Sequence, residues 1–291
     1  MTQSSQYTSL DIRRAAKTGE PIRFRSLYIY PLTVKDYELL WGCESALTIR
    51  LSSLPASYAI MSYPEALFAI AVDGKNVVAN GDVVARADDW IRFLSLMCAS
   101  LHMPLQYMKQ FISFSVDTRD KRRLNSVIIR QQAENEEIVE ALSVADLIEI
   151  RAIIAGINGR RLPDESENAE LSRADEDIKS SGGAKLDINL DSLLASVARD
   201  QRVRLKDLDG WTIFEFELIR SAIERERRFM VFGIGENSGM VKFPKGNPFP
   251  SIFFDKPAES SAVISASGLT QRLSGAVQET DSLPNMPIIS K

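Results

Sequence analysis

The chain has 291 residues, with 39 acidic against 35 basic side chains, one histidine and two cysteines. A formal charge of −4 gives no general attraction to nucleic acid or membrane. His102 alone cannot furnish a two-histidine metal site, and Cys43 with Cys98 is too little for a disulfide framework.

The length suits one large domain or two modest ones, and 45% apolar residues are enough for a buried core. The N-terminus has no apolar signal core, and no apolar run approaches the ~20 residues of a membrane span. The expectation is a soluble protein of a reducing compartment, with no metal and no cofactor.

Residues 1–21 are polar, include Gly19 and Pro21, and read as a flexible arm. Ile22–Leu32 alternates and is rich in β-branched and aromatic residues, which predicts one strand. Thr33-Val34-Lys35-Asp36 offers a hydroxyl N-cap with an acid three residues on, opening a helix that runs to about Leu54-Pro55. Ser62-Tyr63-Pro64-Glu65 repeats the capping box before an apolar helix. Turn signals at Asp73-Gly74 and Asn80-Gly81 then frame Val77-Val78.

From Asp82 to Leu101, Val83, Ala87, Trp90, Ile91, Leu94, Met97, Cys98 and Leu101 recur every three or four residues, the stripe of a core-facing helix. Phe111–Val116 and Leu124–Gln131 read as two strands around a polar turn. Ser143-Val144-Ala145-Asp146 starts a helix ending near Asn158-Gly159, with Leu147, Ile150, Ile153, Ile154 and Ile157 on its apolar face.

Acidic residues crowd together after Pro163, and Ser180-Ser181-Gly182-Gly183 closes that stretch, so 163–185 reads as a solvated linker between domains. Beyond it, 186–255 reads as a small helical domain with helices at Leu190–Gln201 and Ile213–Phe232 and a Pro/Phe-rich strip. Residues 256–291 have the composition of a disordered tail. The predicted fold is therefore α-rich α+β: two helical domains, the first spanning 22–162, with a small β-hairpin element.

Each candidate site has a bland competitor. Cys98 and His102 are neighbours on one helical face, but a metal needs further ligands, so a buried thiol and a helix-terminal imidazole near the last carbonyls is preferred. Gly233 to Gly239 spells GxGxxxG after an apolar run, yet no helix or Lys-Ser/Thr follows to receive a phosphate, and it reads as a flexible turn. Arg119, Lys121, Arg122 and Arg123 sit at a predicted hairpin turn and read as solvated. Arg199, Arg202, Arg204 and Lys206 could serve a helix-turn-helix, but Asp200, Asp207 and Asp209 interleave with them. The pairs Asp88-Asp89 and Glu136-Glu137, read as helical neighbours, point in different directions and converge on no atom.

The most unusual stretch is Phe243 to Phe254, where prolines hold the backbone extended and Phe243, Phe249, Ile252, Phe253 and Phe254 need apolar cover. They either pack back on the preceding helices or anchor a partner.

The segments Ala141–Asn168, LDINLDSLLASVARDQRVRLKDLDGWTIFEFELI and SGMVKFPKGNPFPSIFFD resemble a group of tailed-phage and prophage proteins encoded with tail genes and likened to tail assembly chaperones. LYIYPLTVKDYELL and ALTIRLSSLPASYAIMSYPEALFAI are similar to the beginning of the same group, so the resemblance spans about residues 22–255. It implies a non-catalytic helical protein of the host cytoplasm that binds tape measure or tail-tube proteins during tail morphogenesis. A tail, neck or baseplate component of the virion is the variant suited to a chain of this length, and oligomerisation stays open. A nucleic-acid-binding regulator using Arg119–Arg123 or Arg199–Lys206 is the alternative of a different class, and an enzyme using carboxylates and the Gly233–Gly239 turn is a third.

Overall fold

The computed structural model describes residues 7–79, 81–133, 136–164 and 189–239. It is helix-rich α+β. In chain order the elements begin with α1 (Ser9–Thr18), β1 (Ile22–Phe24), β2 (Leu27–Ile29), α2 (Tyr37–Cys43), α3 (Ser45–Thr48), α4 (Ala56–Ala59) and α5 (Tyr63–Asp73). They continue with β3 (Val77–Ala79), β4 (Asp82–Ala85), α6 (Asp89–Ser100), α7 (Met108–Phe111), β5 (Ile112–Val116), β6 (Leu124–Ala133), β7 (Glu136–Ser143) and α8 (Val144–Ile157). The last three are α9 (Leu190–Gln201), α10 (Leu205–Leu208) and α11 (Ile213–Asn237). The strands form two hairpins, β1–β2 and β3–β4, and one antiparallel sheet ordered β5-β6-β7.

Three expected starts are made by side chains closing on their own backbone. Asp36 accepts from the Thr33 N–H and hydroxyl, Glu65 from those of Ser62, and Asp146 from those of Ser143. The expected apolar face of α8 is fully buried at Leu147, Ile150, Ile153, Ile154 and Ile157.

Elsewhere the structure differs. Within the expected flexible arm, Ser9–Thr18 is helical: Asp11 accepts from the Thr8 N–H at 3.0 Å, and Gly19 closes the helix at φ 75°. The arm looked loose because α1 buries only two small residues, Ala15 and Ala16. The single strand expected over Ile22–Leu32 is a hairpin turning at Arg25-Ser26, with Arg25 at φ 52°. The helical stripe expected from Asp82 begins at Asp89; before it the chain forms β3–β4, and two residues of the expected stripe are exposed, Val83 on β4 and Ile91 on α6. The β-branched run after Gly81 favours the strand.

The helix expected from Thr33 to Leu54 breaks into a 3-10 turn, α2, α3 and a second 3-10 turn. A buried guanidinium takes the carbonyls released by that break. Arg151 of α8 donates to the Leu47 carbonyl from Nε at 2.9 Å and Nη2 at 2.6 Å, and its carbon centre lies 3.2 Å from the Tyr63 ring centroid. Strand β7 was not expected, and α11 runs five residues past Phe232, to Asn237.

Residues 189–239, set apart above as a separate small domain, share one core with the N-terminal elements: Val197, Ala198, Leu208, Ile213 and Phe216 join Phe24, Leu32, Tyr37 and Leu40. The extended segment 30–34 is the seam. Its Leu32 carbonyl accepts from the Ile213 N–H at 3.0 Å, and its Val34 N–H donates to the Trp211 carbonyl at 2.9 Å. The Leu32 N–H is taken by Asn158 Oδ1 at 2.9 Å, so three distant stretches meet at one residue. Residues 165–188 of the linker and its surroundings, and the tail 256–291, lie outside the described residues.

Candidate functional site

The root of α11 is fixed on all sides. Thr212 caps it, accepting from the Glu215 N–H at 3.1 Å while its hydroxyl donates to the Ala16 carbonyl at 2.6 Å. Phe216 is fully buried and meets Tyr37 edge-on at 5.7 Å. The Tyr37 hydroxyl donates to Glu217, which pairs with Arg220 at 2.6 Å, and Arg220 pairs in turn with Glu224 at 2.6 Å. Burial, reinforced by Glu217, pushes the Tyr37 phenol up to about 12, so it stays neutral at physiological pH. Every charge in this row has a partner, which suits anchoring rather than proton transfer.

Along the helix the surroundings thin out. Ile219 and Ile223 are half-buried against the core, and Arg227 reaches α9 through Asp200 at 2.6 Å. Beyond that tie Met230, Val231 and Ile234 are 48%, 66% and 68% exposed. Spacings of three and four residues put Val231 and Met230 beside Ile234 on one helical face. The result is a rooted helix whose distal half carries an apolar face that no described residue buries.

The residues singled out for chemistry are placed as follows. Phe243, Phe249, Ile252, Phe253 and Phe254 lie outside the described residues. Cys98 is fully buried in α6, where burial pushes its thiol up to about 12, far from a reactive thiolate. His102 sits just past α6 at φ 55°, its ring stacked on Tyr30 at 3.9 Å instead of over the helix carbonyls as expected. Burial, with Lys35 nearby, pushes its pKa down. Among the described residues no three His, Cys, Asp or Glu side chains are grouped to hold a metal.

Asp88 is exposed and pairs with Arg92 at 2.8 Å, whereas Asp89 is buried and accepts from the Arg86 N–H at 2.6 Å. They do not converge. Glu136 and Glu137 lie on strand β7 instead of the helix expected for them. In the basic cluster at the β5–β6 turn, Arg122 pairs with Asp73 at 2.9 Å and covers the Tyr58 ring at 5.3 Å, while Arg123 approaches Asp120 at 3.8 Å. Arg204 closes on Asp207 at 3.3 Å, and Arg202 ends α9 in the left-handed region. Gly233 and Gly235 lie inside α11, so the flexible turn expected there is absent and the backbone N–H groups needed to cradle a phosphate are occupied within the helix.

Sequence alone does not place the distal α11 face, because Gly233 and Gly235 signal a helix end about one turn before Asn237. A legible signal was there in the apolar spacing Met230, Val231, Ile234, which continues the helical period through Gly233. No described helix is long and apolar enough to cross a membrane. Comparison of the chain with family models, curated proteins and solved structures returned no match.

Proposed function

We propose that the protein is a non-catalytic assembly protein of a phage or prophage tail, binding tape measure or tail-tube subunits through the distal half of α11. The observation that carries this reading is the exposed apolar face at Met230, Val231 and Ile234, on a helix whose root is buried and ion-paired. A rigid helix presenting apolar residues in sequence steps of three and four fits a helical or grooved protein partner. The face also fits a protein that shields apolar partner surface until polymerisation, since the binding residues need not move to become available. The resemblance of residues 22–255 to tail-gene products supplies the partner class, and a tail, neck or baseplate component is the structural variant of the same role.

Co-expression with tape measure, tube and baseplate proteins, followed by co-purification, tests the reading. The expected result is a complex with the unsubstituted chain that is lost in V231D/I234D while the unfolding free energy stays within the range of surface changes, about 0.5 kcal/mol each. A chain that stays alone against all three partners overturns it. Detection of the chain in purified virions selects the structural variant over the chaperone.

A further inference from the structure

Strand β5 is an edge, with β6 as its strand partner on one side and none on the other among the described residues. Its outer side therefore presents a row of backbone N–H and C=O groups, the surface on which another strand can pair. The opposite edge of the sheet is treated differently. Strand β7 carries Glu137 and Glu140, and Arg25 donates to its Ala141 carbonyl at 3.4 Å while pairing with Glu140. Strand β5 has no charge, no proline and, among the described residues, no strand on its outer side, although charges and prolines are how proteins ordinarily protect an exposed edge.

The sequence of β5 is symmetric in kind about its centre: Ile112-Ser113-Phe114-Ser115-Val116. Paired antiparallel with itself about a two-fold axis at Phe114, it sets Ile112 opposite Val116 of the second copy and Ser113 opposite Ser115. The side-chain faces match as well. Ser113 and Ser115 lie on the open face, whereas Ile112 is buried and Phe114 rests edge-on against Phe68 at 5.7 Å. Phe114 is nevertheless 50% exposed. A second copy brings its own Phe114 to that position. The register shift with β6 falls after Ser115, so the centre of the self-pair, Ser113-Phe114-Ser115, lies within the stretch regularly paired with β6, and only the outer Ile112–Val116 pairs meet the irregularity.

We propose that β5 is a self-pairing edge, through which two copies of the chain join their sheets into one six-stranded antiparallel sheet with two-fold symmetry. The occupant is a second copy rather than a foreign peptide because the pattern is complementary to itself in register and in face. This self-association uses neither α11 nor the tail-protein reading. The two proposals stand or fall separately.

Sedimentation velocity of the full chain over a concentration series tests it, with paired charge variants that read the register. In S113K/S115K each lysine faces a lysine of the second copy, and the dimer dissociation constant is expected to rise about tenfold or more. In S113K/S115E each lysine faces a glutamate, so dimerisation is expected to return and to weaken with added salt. Both variants place two long charged side chains on the same exposed positions, and matching melting curves establish that both remain folded. A wild-type chain that stays at 32.5 kDa throughout the series overturns the proposal. So does a dimer in which the two variants behave alike.

Discussion

The side-chain amide of Gln131 pairs with the main chain of Tyr28 in both directions: its Oε1 accepts from the Tyr28 N–H at 3.0 Å, and its Nε2 donates to the Tyr28 carbonyl at 2.8 Å. Nε2 also donates to the Leu101 carbonyl at 3.1 Å. Gln131 thus completes, with a side chain, the ladder that the β1–β2 hairpin and the end of α6 would otherwise leave open. It is only 2% exposed, so water cannot take its place.

Replacing Gln131 with leucine keeps the volume and removes all three bonds, stranding buried groups of Tyr28 and Leu101. The expected loss is about 3 kcal/mol, since each stranded group costs ~1–3 kcal/mol and relaxation recovers part. Denaturant unfolding measures it. Gln131→Glu is expected to be worse, because a carboxylate would face two carbonyls.

Helices α1 and α8 meet at Gly156, where an added Cβ would stand 2.7 Å from Ile12 Cγ2. Gly156→Val is expected to push α1 off its site and cost about 2 kcal/mol, as overpacking does. Combining it with Ile12→Ala is expected to recover most of that loss, a coupling that a double-mutant cycle detects directly. Hydrogen exchange at Ala15 and Ala16 should show α1 loosened in the single variant alone.

Asp89 carries a buried carboxyl whose pKa burial raises, with the hydrogen bond from Arg86 and the charge of Arg92 acting the other way. A raised acid pKa means the folded state holds the proton more tightly than the unfolded chain. The associated stability is present at low pH and lost as pH rises through the folded-state value. Asp89→Asn retains the acceptor for Arg86 and abolishes this titration. Its stability relative to wild type is expected to improve between mildly acid and neutral pH, and parallel denaturation curves would sink the assignment.

At the alkaline end Tyr37 makes the corresponding contribution. Its pKa moves from 10.0 to about 12 on folding, so stability is lost as pH climbs through that interval. Tyr37→Phe is expected to lose about 1 kcal/mol near neutral pH, from the bond to Glu217, and to show a shallower alkaline decline. Unfolding measured across the interval separates this from a purely steric effect, which would be constant with pH.

Much of the helical framework was legible because its signals are local. Thr33, Ser62 and Ser143 each stand three residues before an acid that closes back on them, and a capping box is contained within four residues of chain. The β5–β6 pairing was readable for the same reason, two β-rich runs around a polar turn. The hairpin at Arg25 was not, because a non-glycine residue at positive φ leaves no composition signal. Strand β7 was missed because Glu136, Glu137 and Glu140 lower its apparent β-propensity. For the distal α11 face, the apolar spacing of Met230, Val231 and Ile234 is a local helical period. Exposure of that face depends on where α9 and the core stop.

By itself the sequence determined the capped helix starts, the apolar face of α8 and the helix-rich class, all set by interactions between residues a few positions apart. Only the tertiary structure decided that Leu32 joins Asn158 to Ile213, that Gln131 substitutes for a strand beside Tyr28, and that α11 is buried at Phe216 and exposed at Ile234 among the described residues. Those outcomes depend on groups tens to hundreds of residues apart competing for the same buried donors, acceptors and surface, and no local pattern records which of them win.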